Sequence, residues 1–388
     1  MQLELTEEER AFRDEMREFF TTKVSEEIRE TVAAGRELTK DQIVEAQQTL
    51  NAAGLAVPRW PVEWGGQDWT EIQFHIWHEE MERACVPTPL AFNAGMIGPV
   101  IAHFGTEEQK QEFLPKTANI DIFWSQGFSE PDAGSDLAGL RTTAVKDGDD
   151  WIVNGQKTWT TLGQYGDWIF TLVRTDPEAK KQAGISMLLI DMRSEGLEVR
   201  PIQLIDGGHE VNEVWFEDVR VPGKNLVGEL NGGWSIAKFL LGNERVGVAP
   251  SGIVKRVLAR IKGLAEDRFA DDPLLRARIA ELENELLALE LTTMRVAANS
   301  VEGRPDPASS VLKLKGSVLQ QQVSELVLDL AGPAGLASGA AADPSSDSDL
   351  TEWERNAAPL YLNLRKASIY GGSNEVQRQI IARNILGL

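Results

Sequence analysis

The chain has 388 residues, more than one hydrophobic core usually organises, so two or three domains in one subunit are expected. Apolar residues at 42% and charged residues at 26% are ordinary for a globular protein and exclude long disorder or a fibrous form. A formal net charge of -21 opposes binding to nucleic acid or an anionic membrane, which need clustered Lys and Arg.

The start, Met1-Gln2-Leu3-Glu4-Leu5, has neither a basic nor an apolar leader, and no run approaches ~20 uninterrupted apolar residues. Neither secretion nor a membrane span is expected. The single cysteine, Cys85, cannot form an internal disulfide, and the histidines are too scattered for a zinc spacing, so no metal and a cytoplasmic location are expected.

Thr6 and Glu9 form a capping box before Phe12, Met16, Phe19 and Phe20 at helical spacing, and Ile43, Ala46 and Leu50 continue that period. A Pro/Gly/Trp-rich loop from Pro58 to Trp69 follows, then two more helical stretches ending near Pro115. From about Ile122 to Gly228 the period becomes that of strands: Trp151 to Val153 between turn signals at Asp147-Gly148 and Asn154-Gly155, then Trp168 to Val173, Ile185 to Ile190 and Val211 to Val221. Strands without intervening helices predict an antiparallel barrel or sandwich and no Rossmann fold. After Gly233 the helical period returns at Leu275, Ile279, Leu282, Leu286, Leu289 and Val296, and again at Leu319, Val323, Leu326 and Leu330, the pattern of a bundle. The Ala/Ser/Asp-rich 337–349 segment reads as a mobile loop. The expected class is α+β, mainly α, with a helical domain over 1–120, a β-domain over 121–229 and a C-terminal four-helix-bundle-like domain over 230–388.

Gln126-Gly127-Phe128-Ser129-Glu130-Pro131-Asp132-Ala133-Gly134-Ser135-Asp136 could aim backbone amides at a polar ring or a phosphate, or be an ordinary turn. Asn154-Gly155-Gln156-Lys157-Thr158-Trp159-Thr160-Thr161 adds an aromatic wall and hydroxyls suited to the edge of a heterocycle. With Ile369-Tyr370-Gly371-Gly372-Ser373-Asn374-Glu375-Val376-Gln377-Arg378, and with Phe104-Gly105-Thr106-Glu107-Glu108-Gln109-Lys110 and Val221-Pro222, these segments resemble the acyl-CoA dehydrogenase family in order and spacing over essentially the whole chain.

The resemblance implies FAD as cofactor, an acyl-CoA substrate and an electron-transfer flavoprotein as electron acceptor. It implies that Gln126, Phe128, Ser129, Gly134 and Ser135 lie along the flavin and thioester, that Trp159 and Thr161 back the ring, and that Tyr370, Ser373 and Glu375 close over it. In most of the family the residue after the tyrosine is the glutamate that removes the α-proton, and Gly371 stands there instead. A minority places its glutamate just before a conserved arginine on another helix, where this chain has Glu244-Arg245. Glu244 is then the expected base, with a pKa raised by burial, whereas the bland reading of Glu244-Arg245 is a solvated helix pair. Gly371 keeps the backbone N–H that the family uses, beside a flavin ribityl hydroxyl, to stabilise the enolate oxygen.

A second departure concerns the half-site that the family uses for a neighbouring subunit's pyrophosphate. Glu266 stands where an arginine precedes Phe269, and Asp329 replaces a glutamine before Gly332-Pro333-Ala334-Gly335. Negative charge there disfavours a symmetric assembly. The chain is similar to the catalytic subunit of actinobacterial enzymes that act on sterol side chains by pairing two different chains, and its Trp60-Pro61-Val62-Glu63-Trp64-Gly65-Gly66 loop fits that branch. The resemblance thus implies an α2β2 hetero-oligomer and a bulky acyl group, sterol side-chain or cyclic, with a homotetramer as alternative. A non-catalytic partner subunit and an acyl-CoA oxidase are the competing readings; retained Ser129, Trp159, Thr161 and Glu244 oppose the first, and length opposes the second.

Overall fold

The computed structural model describes residues 5–247, 251–268, 271–299, 307–336 and 350–388, without the side chains of 241–247, 265, 267–268 and 297–299. The N-terminal helices are α1 (Glu7–Thr22), α2 (Glu26–Ala34), α3 (Lys40–Ala52), α4 (Glu71–Arg83), α5 (Gly98–Phe104) and α6 (Glu107–Ala118). Thr6 and Glu9 cap α1 reciprocally as the sequence predicts, and α3, α4 and α6 start on the same device at Thr39, Thr70 and Thr106. Two expectations need correction. Three helices rather than two follow the Trp-rich loop, because a π-helical turn, Phe92–Ile97, leads into α5. Helix α6 also runs through Pro115 to Ala118 instead of ending near it.

The central strands are β1 (Trp124–Gly127), β2 (Thr143–Asp147), β3 (Asp150–Thr161), β4 (Trp168–Arg174), β5 (Ile185–Asp191), β6 (Leu197–Ile202), β7 (Val211–Val221) and β8 (Leu226–Val227). They form an eight-stranded sheet in the order β6-β7-β3-β2-β4-β5-β8, with β1 beside β4. Pairing is antiparallel except for β1 and β2 against β4. Asn154-Gly155 is not a turn. β3 passes through it, and the one extra residue lies opposite in β7, where Asp218 adopts φ 50° and exchanges two hydrogen bonds with the Asn154 side chain.

Both faces of the central strands are covered. Phe170 and Leu172 of β4, with Met187 and Leu189 of β5, join Leu50, Ile101, Phe113, Trp124 and Leu240 in the helical core. Their alternates Ile169, Val173, Leu188 and Ile190 pack with Val153, Val214 and Val219 on the other face. The period of two therefore assigns successive residues of one strand to two cores.

The C-terminal part contains α7 (Gly233–Gly247), α8 (Ser251–Arg268), α9 (Pro273–Asn299), α10 (Ser309–Ala331), α11 (Glu352–Leu364) and α12 (Asn374–Ile381). The heptad residues Leu275, Ile279, Leu282 and Leu286 meet Val254, Leu258, Ile261, Leu319, Val323 and Leu326 in one buried cluster, so the stripe packs within the chain. The expected loop at 337–349 lies outside the described residues. Among the described residues no helix is long and apolar enough to cross a membrane.

Candidate active site

The first half of the site is built where β1 meets β3. Gln126 ends half-buried on β1 opposite Phe170, and Phe128 follows with its ring buried edge-on against Phe170, 5.8 Å between centroids. The Ser129 carbonyl accepts a 2.9 Å hydrogen bond from the Thr158 N–H, tying this loop to β3 two residues before Thr160. Beneath it lies a buried ion pair. Lys157 Nζ donates to Glu130 Oε1 at 2.7 Å and to the Phe128 carbonyl at 3.3 Å. Glu130 also accepts the N–H groups of Arg141 and Thr142 at 2.6 and 2.9 Å, so its lone pairs are filled from three directions.

Burial pushes the Lys157 ammonium down to about 8, against the opposing pull of Glu130. Burial would push Glu130 up, but the charge and hydrogen bonds of Lys157 and the donors at Thr142 and Arg141 outweigh it and hold the carboxyl below its usual range.

Trp159 is aimed by backbone irregularity. Lys157 pairs with Val214 and Thr160 with Asn212, so β3 carries one residue more than β7 between these pairs and bulges. Trp159 occupies that bulge at φ 60°, a strained position for an aromatic residue, and its side chain is 58% exposed while Thr158 and Thr160 are buried. An indole held outward at such a cost is not a core residue. Thr161 sits half-buried at the strand end. Gly134 and Ser135 are exposed on the loop, and a Cβ at Gly134 would meet nothing within 4 Å. An exposed indole on a strand tied through Thr158 to the Phe128-Ser129 loop suits a flat heterocycle.

The second half is the C-terminal turn, which hangs from a polar stripe on α10. Buried Lys313 donates to the Ala367 carbonyl at 3.0 Å, Ser317 to Asn374 Oδ1 at 3.0 Å, and Gln321 to the Arg365 carbonyl at 3.1 Å. Gly371 and Gly372 adopt φ 63° and 85°, a left-handed pair that glycine enters without steric cost, as α12 is about to begin on its cap Ser373. Tyr370 is 47% exposed before them. Glu375 lies in the first turn of α12, where a backbone hydrogen bond and the Ser373 hydroxyl hold its carboxyl below its usual range.

Glu210 joins the two halves. Its carbonyl accepts the Leu162 N–H at 2.8 Å, next to Thr161, while its carboxylate pairs with Lys366 and accepts from Asn363 at 3.2 Å. Glu210, Glu130 and the α10 stripe were not selected from sequence, although Lys313, Ser317 and Ser324 interrupting an apolar helical period were a readable signal.

Glu244 and Arg245 lie on α7, with side chains outside the described residues; Phe269 is outside them too. Asp329 differs from its expectation in one respect. Arg278 pairs with it at 3.0 Å, so its charge is matched within the chain, whereas Glu266 stays exposed near Lys262.

Comparisons with known proteins identify the family. The acyl-CoA dehydrogenase N-terminal domain matches residues 6–121, the middle domain 125–219 and the C-terminal domain 231–386. Acyl-CoA dehydrogenase IpdE1 of Mycobacterium tuberculosis (strain ATCC 25618 / H37Rv) is 39% identical, covering 88% of this chain and 86% of that protein. The solved ChsE4-ChsE5 complex from Mycobacterium tuberculosis superposes with a TM-score of 0.84 at 32% identity, covering 100% of this chain and 99% of that one. The Tcur3481-Tcur3483 steroid ACAD gives 0.85 at 30% identity over 100% and 99%. Three domain matches in order, with the helix, sheet, helix architecture found here, make this chain a member of the acyl-CoA dehydrogenase family, an oxidoreductase acting on acyl-CoA thioesters.

Proposed function

We propose that this chain, with FAD bound, dehydrogenates a bulky acyl-CoA, sterol side-chain or cyclic, to the trans-2-enoyl-CoA, with Glu244 as the base. One observation carries the assignment of the base. Gly371 offers a backbone N–H in a left-handed turn but no carboxylate where most of the family has one, which leaves Glu244 on α7 as the matched carboxylate.

An α-proton beside a thioester is too weak an acid for a carboxylate to take unaided, so the carbonyl oxygen must be stabilised as charge develops. The Gly371 N–H donates to that oxygen. Glu244 takes the proton, with Arg245 next to it in sequence on α7 as the matched cation. FAD supplies the acceptor for the β-hydrogen as hydride, chemistry that belongs to the cofactor. Trp159 and Thr161 would back its ring, Gln126, Phe128, Ser129, Gly134 and Ser135 would line its edge and the thioester, and Tyr370, Ser373 and Glu375 would close the other side. An electron-transfer flavoprotein takes the electrons onward, in the cytoplasm.

The relatives that carry two chains in one complex, ChsE4-ChsE5 and Tcur3481-Tcur3483, support an α2β2 assembly with a related chain over a homotetramer. Exposed Ile369 and Leu388 on the C-terminal segment are apolar surface suited to such a contact. Turnover of a steroid side-chain acyl-CoA by wild type and by Glu244→Gln, assayed with the partner present, tests the whole reading: a product without the α,β double bond overturns it.

A further inference from the structure

Beneath the Gly371-Gly372 turn lies a side chain with no assigned role. Gln377, fully buried on α12, donates from Nε2 to the Gly371 carbonyl at 3.2 Å and to the Gly372 carbonyl at 3.3 Å. A carboxamide nitrogen has two hydrogens, and both are spent on consecutive carbonyls of one turn. The fit is tight: a Cβ at Gly372 would come within 2.6 Å of Nε2. The cost is also visible, since Oε1 is buried without a hydrogen-bond partner among the described residues. Turning the amide over would set Oε1 against two carbonyl oxygens, so the donor orientation is fixed by repulsion as well as attraction. A buried orphan acceptor in a native chain calls for an explanation.

We propose that Gln377 is the positioning residue for the Gly371 N–H: its two hydrogen bonds hold the 371–372 and 372–373 peptide planes, so that the adjoining 370–371 plane, which carries this N–H toward the thioester oxygen, can turn only about the φ and ψ of Gly371. The inference rests on the reading of Gly371 as the oxyanion donor. Two glycines in succession have little conformational preference of their own, so the turn needs an external clamp to hold one direction. α12 supplies it rigidly: the Gln377 N–H bonds to the Ser373 carbonyl at 3.0 Å, and Ser317 of α10 holds the neighbouring Asn374. A donor misdirected by a fraction of an ångström loses most of its effect on a developing oxyanion.

The test compares wild type with Gln377→Met, which keeps length but removes both donors, in the flavin-loaded complex. The expected result is a kcat lowered roughly 10- to 100-fold with KM little changed and flavin content retained. Two further readouts do not depend on turnover. One is the solvent-deuterium exchange rate of the α-proton in a 3-thia-acyl-CoA, whose β-sulfur cannot release hydride. The other is the ratio of Kd for that thioester to Kd for the matching alkyl thioether, which lacks the carbonyl oxygen.

Gln377→Met should slow the exchange and erase the wild-type preference for the thioester. Exchange, preference and kcat at wild-type values, with only thermal stability lowered, overturn the positioning role. A wild-type enzyme that shows no preference for the carbonyl overturns instead the reading of Gly371. Should Gln377→Met not fold, Gln377→Glu decides: one donor survives when the carboxyl is protonated, so kcat relative to wild type must rise as pH falls, and a wild-type pH profile overturns the inference.

Discussion

Lys157 and Glu130 form an ion pair of 2.7 Å that is buried on both sides, and the same ammonium reaches the carbonyl of Phe128. The pair therefore sets the position of the Phe128-Ser129 loop relative to the bulge that carries Trp159. Burying two charges gives little net stability, but removing one partner leaves the other uncompensated. Lys157→Met is expected to cost roughly 3–5 kcal/mol of stability, and Lys157→Met with Glu130→Gln to recover a large part of it. Denaturant unfolding of the three proteins measures this; equal losses in single and double variants would show that the charges are not coupled.

The same pair gives a pH dependence of known sign. Glu130 has a folded pKa below its ordinary 4.5, so its contribution to stability is full above that value and is lost as pH falls through it toward the folded pKa. Wild-type stability should drop on acidification below about pH 4.5 more steeply than that of the Lys157→Met, Glu130→Gln protein. Parallel curves would contradict the assignment.

Glu244→Gln keeps size and removes basicity. It is expected to lower kcat by roughly 10²- to 10⁴-fold while bound flavin is retained. A rate within a few-fold of wild type would mean that another group takes the α-proton.

Trp159→Ala removes the proposed flavin wall, a side chain that is already 58% exposed, so it should weaken flavin binding without unfolding the chain. Loss of an aromatic stacking contact corresponds to about a tenfold rise in flavin Kd. Flavin titration of the apoprotein and a thermal melt separate the outcomes; a lowered melting temperature with unchanged flavin affinity would make Trp159 a packing residue.

The proposed mixed assembly rests now more on Glu266 than on Asp329, since Arg278 already matches the latter. Expressed alone, the chain should be flavin-poor and prone to associate; co-expressed with a related partner it should form an α2β2 complex with fewer flavins than chains. Mass and flavin ratio decide, and an active homotetramer with one flavin per chain would refute the idea.

Periodicity and local chemistry alone determined the helix start at Thr6, the strands over Trp168 and Val211 and the heptad stripe from Leu275, while the order of the family's motifs came from the resemblance. These are short-range signals: capping, alternation and amphipathic spacing act within a few residues. What only tertiary structure decided lies between distant segments. Asn154-Gly155 reads as a turn, yet β7 absorbs the irregularity in its own bulge, because two long strands gain more from continued pairing than from ending there. Trp159 is displayed outward by a register shift against β7, which no local pattern encodes. The partners of Lys157, Glu210 and Gln377 follow from how strands, loops and α12 come together, since a buried polar group is satisfied by whatever packing brings within hydrogen-bond reach.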